Sequence, residues 1–440
     1  MEEKIKTLFK QYSGSDARRV EPLPVSGSAR RYYRVFTEDR TYVGVYHENL
    51  RENRLFVDFT RHFEKSRLHV PHVYCVSEDG FCYLQDDLGP DMLLDVVERE
   101  REGEFLSEHT LELYRKALSE LLKFQLMGGK GLDYSGCLPR PVFDERCIRW
   151  DLNYFKYCFL KLAGVEADEE RLENDFDRLT AKLVMAGADG FMFRDFQSRN
   201  IMVVDNEVYF IDYQGGRQGA LHYDVASLLY DAIVKIPESQ KEELLDFYIR
   251  ELTESEPGYA EKFREIYYHF VLVRLLQAMG AFGLRGLHEG KSHFIDSIVP
   301  GLQGISTLFE PGKLEGEYPE IHAHPLRRLP GTPLAGSGFG TLLPQPDLQY
   351  PERRRRAGHP ARRHHRSPAQ RGTASACQGA RRRVQPPQIG LPGQHEPRDT
   401  HAAERHRRIL GTARQRTQEQ DPQGVQRHHP AQQRTTVADH

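Results

Sequence analysis

The chain has 440 residues, with 61 Lys plus Arg against 64 Asp plus Glu and a formal charge of -3, which is material for two or three domains. That balance conceals an asymmetry: residues 321–440 hold 21 Arg, no Lys and 8 Asp or Glu, a surplus of 13, so the first 320 residues carry -16. An acidic body argues against nucleic-acid binding by the folded part. The charged N-terminus MEEKIKTLFKQY has no apolar signal core, and no run approaches the roughly 20 apolar residues of a membrane span, so a cytoplasmic protein with no membrane partner is expected. The six cysteines (Cys75, Cys82, Cys137, Cys147, Cys158 and Cys377) form no C-x-x-C pair and read as reduced thiols, not metal ligands.

Residues 1–12 place Ile5, Leu8, Phe9 and Tyr12 at helical spacing, which predicts an amphipathic helix. In the stretch 23–35, small residues Ser26, Gly27 and Ser28 precede Arg30, Arg31 and the alternating Tyr33-Arg34-Val35-Phe36: a strand, a permissive tip and a second strand. Such a tip lets backbone N–H groups approach phosphate oxygens closely, although an ordinary hairpin has the same composition. A strand at 41–46 and a helix at 52–65 follow. Residues 70–76 read as a strand, Asp79-Gly80 as a hairpin turn, and 81–89 as the next strand and its exit.

From Met92 to about Leu308 helical periodicity dominates, beginning with a long amphipathic helix over 106–127. Gly128-Gly-Lys-Gly131 ends that helix and reads as a cap; Gly290-Lys291-Ser292 lacks the glycine five positions earlier that a phosphate loop requires. The segment 143–162 carries the only tryptophan, Trp150, among aromatics that read mostly as core. Trp150, Asp151 and Asn153 are nevertheless candidates for an acceptor pocket, since aromatic and amide groups suit sugars. Two further helices are expected within 263–308.

The chemistry concentrates in residues 191–213, FMFRDFQSRNIMVVDNEVYFIDY. A short loop with Arg194 and Asp195 leads to an apolar strand from Ile201, a turn at Asp205-Asn206 and a second strand that carries Asp212 out at its end. One loop and one hairpin thus bring two carboxylates and the Asn200 carboxamide to a single rim, as ATP-dependent phosphoryl transfer requires. Asp195 is suited to orient or deprotonate an acceptor hydroxyl, and Asn200 with Asp212 to hold Mg²⁺ against the phosphates of ATP or GTP. Gln214 and Arg217 lie in the Gly-rich exit beside them and are further acceptor candidates. The bland alternative makes Asp195 a turn former, Asn200 a cap and Asp212 a strand terminator; three polar residues placed where apolar strands end favour a site.

This stretch resembles the catalytic core of the aminoglycoside phosphotransferase and choline kinase superfamily, whose loop reads His-x-Asp-x4-Asn, with Phe193 here in the place of the histidine. The resemblance implies an α+β, two-lobed protein-kinase-like fold: a β-rich nucleotide-covering lobe (1–88) and a helical lobe for catalysis and acceptor binding (89–310). It implies Asp195 as base, Asn200 and Asp212 as Mg²⁺ ligands, and Ser26, Gly27, Ser28, Arg30 and Arg31 over the phosphates. Gln85 and Asp86 would sit in the hinge that reads the nucleobase, and Arg194 and Asp224 would support the catalytic loop. Glu52 matches the helix glutamate that partners a strand lysine. That lysine is missing from TYVGVY, so Arg30, Arg31 or Arg34 would neutralise the phosphates instead. The segments SGSARRYYRV, YLQDDLG, RWDLNYF and LVRLLQAMGAFGLRGLHEGK are similar to those of anomeric kinases acting on N-acetylmuramate or N-acetylglucosamine. The expected reaction is therefore phosphorylation of a sugar hydroxyl. An aminoglycoside- or choline-type kinase and a nucleotide-binding pseudokinase regulator stand as alternatives, and no oligomeric state is legible.

Beyond about residue 310 the composition changes: there is no Lys after Lys313, no Phe after Phe339 and no Tyr after Tyr350. Residues 311–440 read either as a disordered basic extension or as translation out of frame.

Overall fold

In the computed structural model, residues 1–24 and 29–327 are described, so the tip at Ser26, Gly27 and Ser28 and the chain after 327 lie outside the described residues. The apolar spacing of Ile5, Leu8 and Phe9 folds as α1 (Glu2–Ser13), which buries those three side chains against a sheet. The sheet comprises β1 (Arg19–Pro22), β2 (Arg31–Phe36), β3 (Thr41–Tyr46), β4 (Val73–Val76) and β5 (Cys82–Asp86), in the order β1-β2-β3-β5-β4 with every pairing antiparallel. Alternation along the strands sorts the two faces. Val35, Cys82 and Leu84 face α1, whereas Val43, Val45 and Tyr83 join the larger core on the other side. Gly44 lets α1 lie close, because a Cβ there would stand 2.4 Å from Ile5 Cγ2.

On the other face packs α2 (Leu50–Lys65), started by Asn49, whose side chain accepts from Glu52 N. Its apolar stripe of Leu55, Phe56, Phe59 and Phe63 belongs to the same core as the helical lobe, so the two lobes share one continuous apolar interior. The helical lobe comprises α3 (Leu93–Glu100), α4 (Glu108–Lys123), α5 (Glu145–Phe155), α6 (Glu169–Val184), α7 (His222–Leu229), α8 (Glu238–Ser255), α9 (Pro257–Ala260), α10 (Phe263–Phe282), α11 (Ser292–Asp296), α12 (Ile298–Leu308) and α13 (Pro319–Arg327). The Gly128–Gly131 run follows α4 through a π-turn, as a helix terminus should.

Two expectations change. The stretch Phe263–His288 is long and apolar enough to pass for a membrane span, but 61% of its most apolar window is buried in the protein. There it packs on α5, α7 and α12. The helical lobe also continues past residue 310. Tyr318 is buried and hydrogen-bonds His269 Nδ1 at 2.8 Å. Asp175 accepts the amides of Glu320 and Ile321 at 2.7 and 3.0 Å, while Glu320 Oε1 accepts the Asp168 amide at 2.7 Å. Two helix N-termini are thus satisfied by carboxylates borne on each other's helices. The compositional shift began earlier than the fold ends, because a few apolar residues suffice to anchor a short helix.

Candidate active site

The hairpin at the centre forms as its sequence requires. Strands β7 (Ile201–Val204) and β8 (Glu207–Phe210) are joined by Asp205 and Asn206 with φ of 49° and 64°, the pair of positive values that a tight hairpin turn needs. Upstream, β6 (Gly190–Met192) pairs with β9 (Arg217–Gly219). Between β6 and β7 the loop carrying Asp195 is held at several points. Asp224, fully buried in α7, accepts the amides of Phe193 at 2.7 Å and Arg194 at 3.0 Å. Arg194 adopts φ 82°, a left-handed conformation that costs a non-glycine residue about 1 kcal/mol or more. Its guanidinium makes a two-pronged ion pair with Asp151 on α5, at 2.7 and 2.5 Å, between the rings of Phe143 and Tyr223. Phe193 packs among Phe124, Phe191, Phe196 and Phe210, so an aromatic cluster fills the place of a histidine. Complete burial pushes the Asp224 carboxyl up to about 7, against the two amide donors that favour its charged form.

Asn200 and Asp212 meet at the mouth of the hairpin, where Ile211 N donates to Asn200 O at 3.1 Å. Asn200 Nδ2 donates to Asp195 O at 2.8 Å, which leaves the amide oxygen as an oxygen donor for a cation. Asp212 is also left-handed, with φ 64°. Its Oδ1 accepts from Gln214 Nε2 at 2.6 Å and from Arg30 Nη1 at 3.4 Å. Partial removal from water raises the Asp212 pKa, and the charge of Asp195 adds to the rise; Gln214, Arg30 and Arg199 oppose it. A carboxylate whose charge is disfavoured by a neighbouring carboxylate is one that a bound cation would stabilise. One carboxylate and one amide oxygen suit Mg²⁺, which takes few protein ligands when phosphates complete its shell.

Arg30 reaches this rim from the start of the sheet. It is 3% exposed and donates from Nη2 to Glu52 Oε2 at 3.1 Å while facing Asp212. Glu52 also accepts from the side chain of the capping Asn49 at 2.9 Å, which fixes it in the first turn of α2. The helix is in turn stitched to the turn after Asp212: Phe56 stacks on Tyr213 at 4.9 Å and Thr60 Oγ1 hydrogen-bonds the Tyr213 hydroxyl at 2.5 Å.

Other candidates fall elsewhere. Arg34 forms a two-pronged pair with Asp87 at 2.6 and 3.0 Å, which withdraws it from any phosphate role, and Arg31 donates to Arg30 O. Gln85 pairs with both β3 and β4, and the Asp86 carboxylate is engaged by the His72 amide, Arg40 and Tyr74. The backbone beyond these ladders begins at Asp87. Arg217 is buried and donates to the carbonyls of Leu138 and Gly215, which makes it a structural strut. Both Asp151 oxygens are used by Arg194. Trp150 is 44% exposed because the inward phase of α5 belongs to Ile148, Asp151, Leu152 and Phe155.

The cavity that contains Asp195 is lined instead by Arg199, Asp231, Arg274, Gln277 and Phe294, with a volume of about 120 Å³. Trp150, Asp151, Asn153, Gln214 and Arg217 do not line it. The missed residues did leave a trace in the sequence. Arg274 interrupts the apolar run of α10, and Asp231 follows the apolar run of α7.

Residues 19–261, more than half of the chain, match the phosphotransferase enzyme family, and the chain belongs to that family. Among curated proteins, the chain is 28% identical over 331 residues to the N-acetylmuramate/N-acetylglucosamine kinase of Pseudomonas aeruginosa, covering 71% of this chain and 93% of that one. The kinase of the same name from Neisseria meningitidis is 27% identical over 238 residues, covering 52% and 66%. Among solved structures, the chain is similar to a putative aminoglycoside phosphotransferase from Ralstonia eutropha, with 12% identity, a TM-score of 0.48 and coverage of 69% and 94%. A choline kinase from Streptococcus pneumoniae gives 14% identity, a TM-score of 0.45 and coverage of 69% and 99%. The chain is thus a phosphotransferase enzyme with sugar kinases among its relatives.

Proposed function

We propose that this protein transfers the terminal phosphoryl group of ATP, or GTP in its place, to a hydroxyl of an N-acetylated amino sugar. The observation that carries this reading is the convergence of Asp195, Asn200 and Asp212 on one hairpin rim, with Arg30 bridging Asp212 to Glu52. In this reading Asp195 orients the acceptor hydroxyl and takes its proton as the oxygen bonds to phosphorus and the bond to the departing nucleotide oxygen breaks. Asn200 and Asp212 hold Mg²⁺, which when bound neutralises charge on the phosphates. Arg30 stands in for the absent strand lysine: Glu52 holds it, and the phosphates compete with Asp212 for its guanidinium. Arg194 and Asp224 act through position alone, fixing the backbone that presents Asp195.

The names of the curated relatives support the amino-sugar acceptor, and the cavity beside Asp195 supports it further. A cationic acceptor such as an aminoglycoside or choline wants uncommitted carboxylates. Here Asp231 is already engaged by Ser198 Oγ at 3.0 Å and the Ile233 amide at 3.1 Å, and two arginines share the wall. Full-length protein with Mg-ATP and a panel of N-acetylglucosamine, N-acetylmuramate, glucose, choline and kanamycin tests the reading. An N-acetylated sugar should exceed choline and kanamycin in kcat/KM by tenfold or more, and preference for a cationic acceptor would overturn it.

A further inference from the structure

Arg274 lines the same cavity as Asp195, and no carboxylate among the described residues stands at ion-pair distance from it, although its charge is felt by the buried Asp224 carboxyl. It is 6% exposed, in the middle of α10, yet its bonds go to neutral oxygens: Nε to Ser227 Oγ at 3.0 Å and Nη1 to Gln277 Oε1 at 2.9 Å. These bonds use Nε and Nη1 and leave Nη2 without a hydrogen-bond partner among the described residues. The nearby acids are committed, Asp231 to Ser198 and Ile233, and Asp224 to the amides of Phe193 and Arg194. Buried guanidinium groups are ordinarily paired, because an unpaired charge taken from water costs several kcal/mol. The donor end of the site has cations of its own, Arg30 on Asp212 and Arg199, whose charge is also felt by Asp212.

We propose that Arg274 is the anchor for a carboxylate carried by the acceptor, so that an acidic N-acetylated sugar seats its carboxylate on Arg274 and its reacting hydroxyl at Asp195. This rests on the kinase reading above and adds a residue and a charge preference to it. The fork of an arginine matches a carboxylate, and a hydrogen bond between two charged groups is worth roughly 10- to 100-fold in affinity.

The test uses the full chain with N-acetylmuramate, its methyl ester and N-acetylglucosamine, reading affinity by calorimetry and turnover by release of ADP. The free acid should bind at least tenfold more tightly than its ester, and this comparison needs no variant to fold. Arg274→Gln should bring the ratio of kcat/KM for acid over ester towards one, mainly through KM, with Arg274→Lys between. ADP release with acid and ester treated alike, or an acid/ester ratio unchanged in Arg274→Gln, would overturn the anchor and leave the kinase standing. Tighter binding of the acid with no ADP release would instead support the anchor and overturn the kinase reading.

Discussion

Two arginines flank the rim of Asp195, Asn200 and Asp212, both largely shielded from water, and they are held in opposite ways. Arg194 grips a buried carboxylate through two bonds of 2.7 and 2.5 Å and lies between two aromatic rings, while its own amide is pinned by Asp224. Arg30 touches Glu52 and Asp212 through single contacts of 3.1 and 3.4 Å, to carboxylates that are 37% and 42% exposed. The first arrangement fixes a backbone. In the proposed function the second is a clamp, from which incoming phosphates would draw the guanidinium away from Asp212. A phosphotransferase needs both: a base that does not move and a clamp that can change partners.

Removing the partner of the fixed arginine should have the largest effect. Asp151→Asn leaves Arg194 buried without a counter-charge and should cost about 3–5 kcal/mol in urea unfolding, with turnover falling alongside. On the adjustable side, Arg30→Met should raise the KM for ATP by about 10- to 100-fold with little loss of stability, and Arg30→Lys should recover part of it. If Arg30→Met instead unfolded the protein as Asp151→Asn does, the contrast between the two arginines would fail.

Acidification probes the fixed side through α7. His222, two residues before Asp224, is buried between Phe263 and Phe270, and burial pushes its pKa down to about 3. In the unfolded chain it takes a proton near its ordinary 6.5, so its contribution to stability is intact above 6.5 and is lost as pH falls towards 3. Asp224 works in the opposite sense: with its pKa raised to about 7, it favours the folded state most at low pH and loses that contribution as pH rises through 7. Replacing His222 by Phe isolates the histidine. Between pH 7 and pH 5 the stability of His222→Phe relative to the parent should rise by about 2 kcal/mol, measured by urea melts at the two pH values. The smallest effect belongs to Trp150→Ala, which should change kcat/KM less than about threefold because the ring lies outside the Asp195 cavity.

How much of this was legible in the sequence follows from how local each feature is. The hairpin 201–210 was, because alternation and an Asp-Asn turn act within ten residues, and the expected positions of Asp195, Asn200 and Asp212 at strand ends follow from it. The cavity beside Asp195 was not, because it is assembled from residues as distant as 195, 231, 274 and 294, which come from the β6–β7 loop, the end of α7, α10 and α11. Trp150 has chemistry that suits a sugar, but only the helix phase, which points it outward, decides where its ring stands. Arg34 was indistinguishable from Arg30 by composition, and only the strand register delivers it to Asp87 instead of the rim. The end of the folded chain was set too early because composition registers a change of residue types, not the burial of Tyr318 and Ile321.

The central claim is that Asp195 performs chemistry on a hydroxyl held beside a bound nucleotide. The most direct measurement pairs the Kd of the full chain for Mg-ATP with its turnover on an N-acetylated sugar, before and after Asp195→Asn. The account predicts a Kd unchanged within about threefold and a turnover lowered by about 10²- to 10⁴-fold. Nucleotide binding with turnover that Asp195→Asn leaves intact would contradict it.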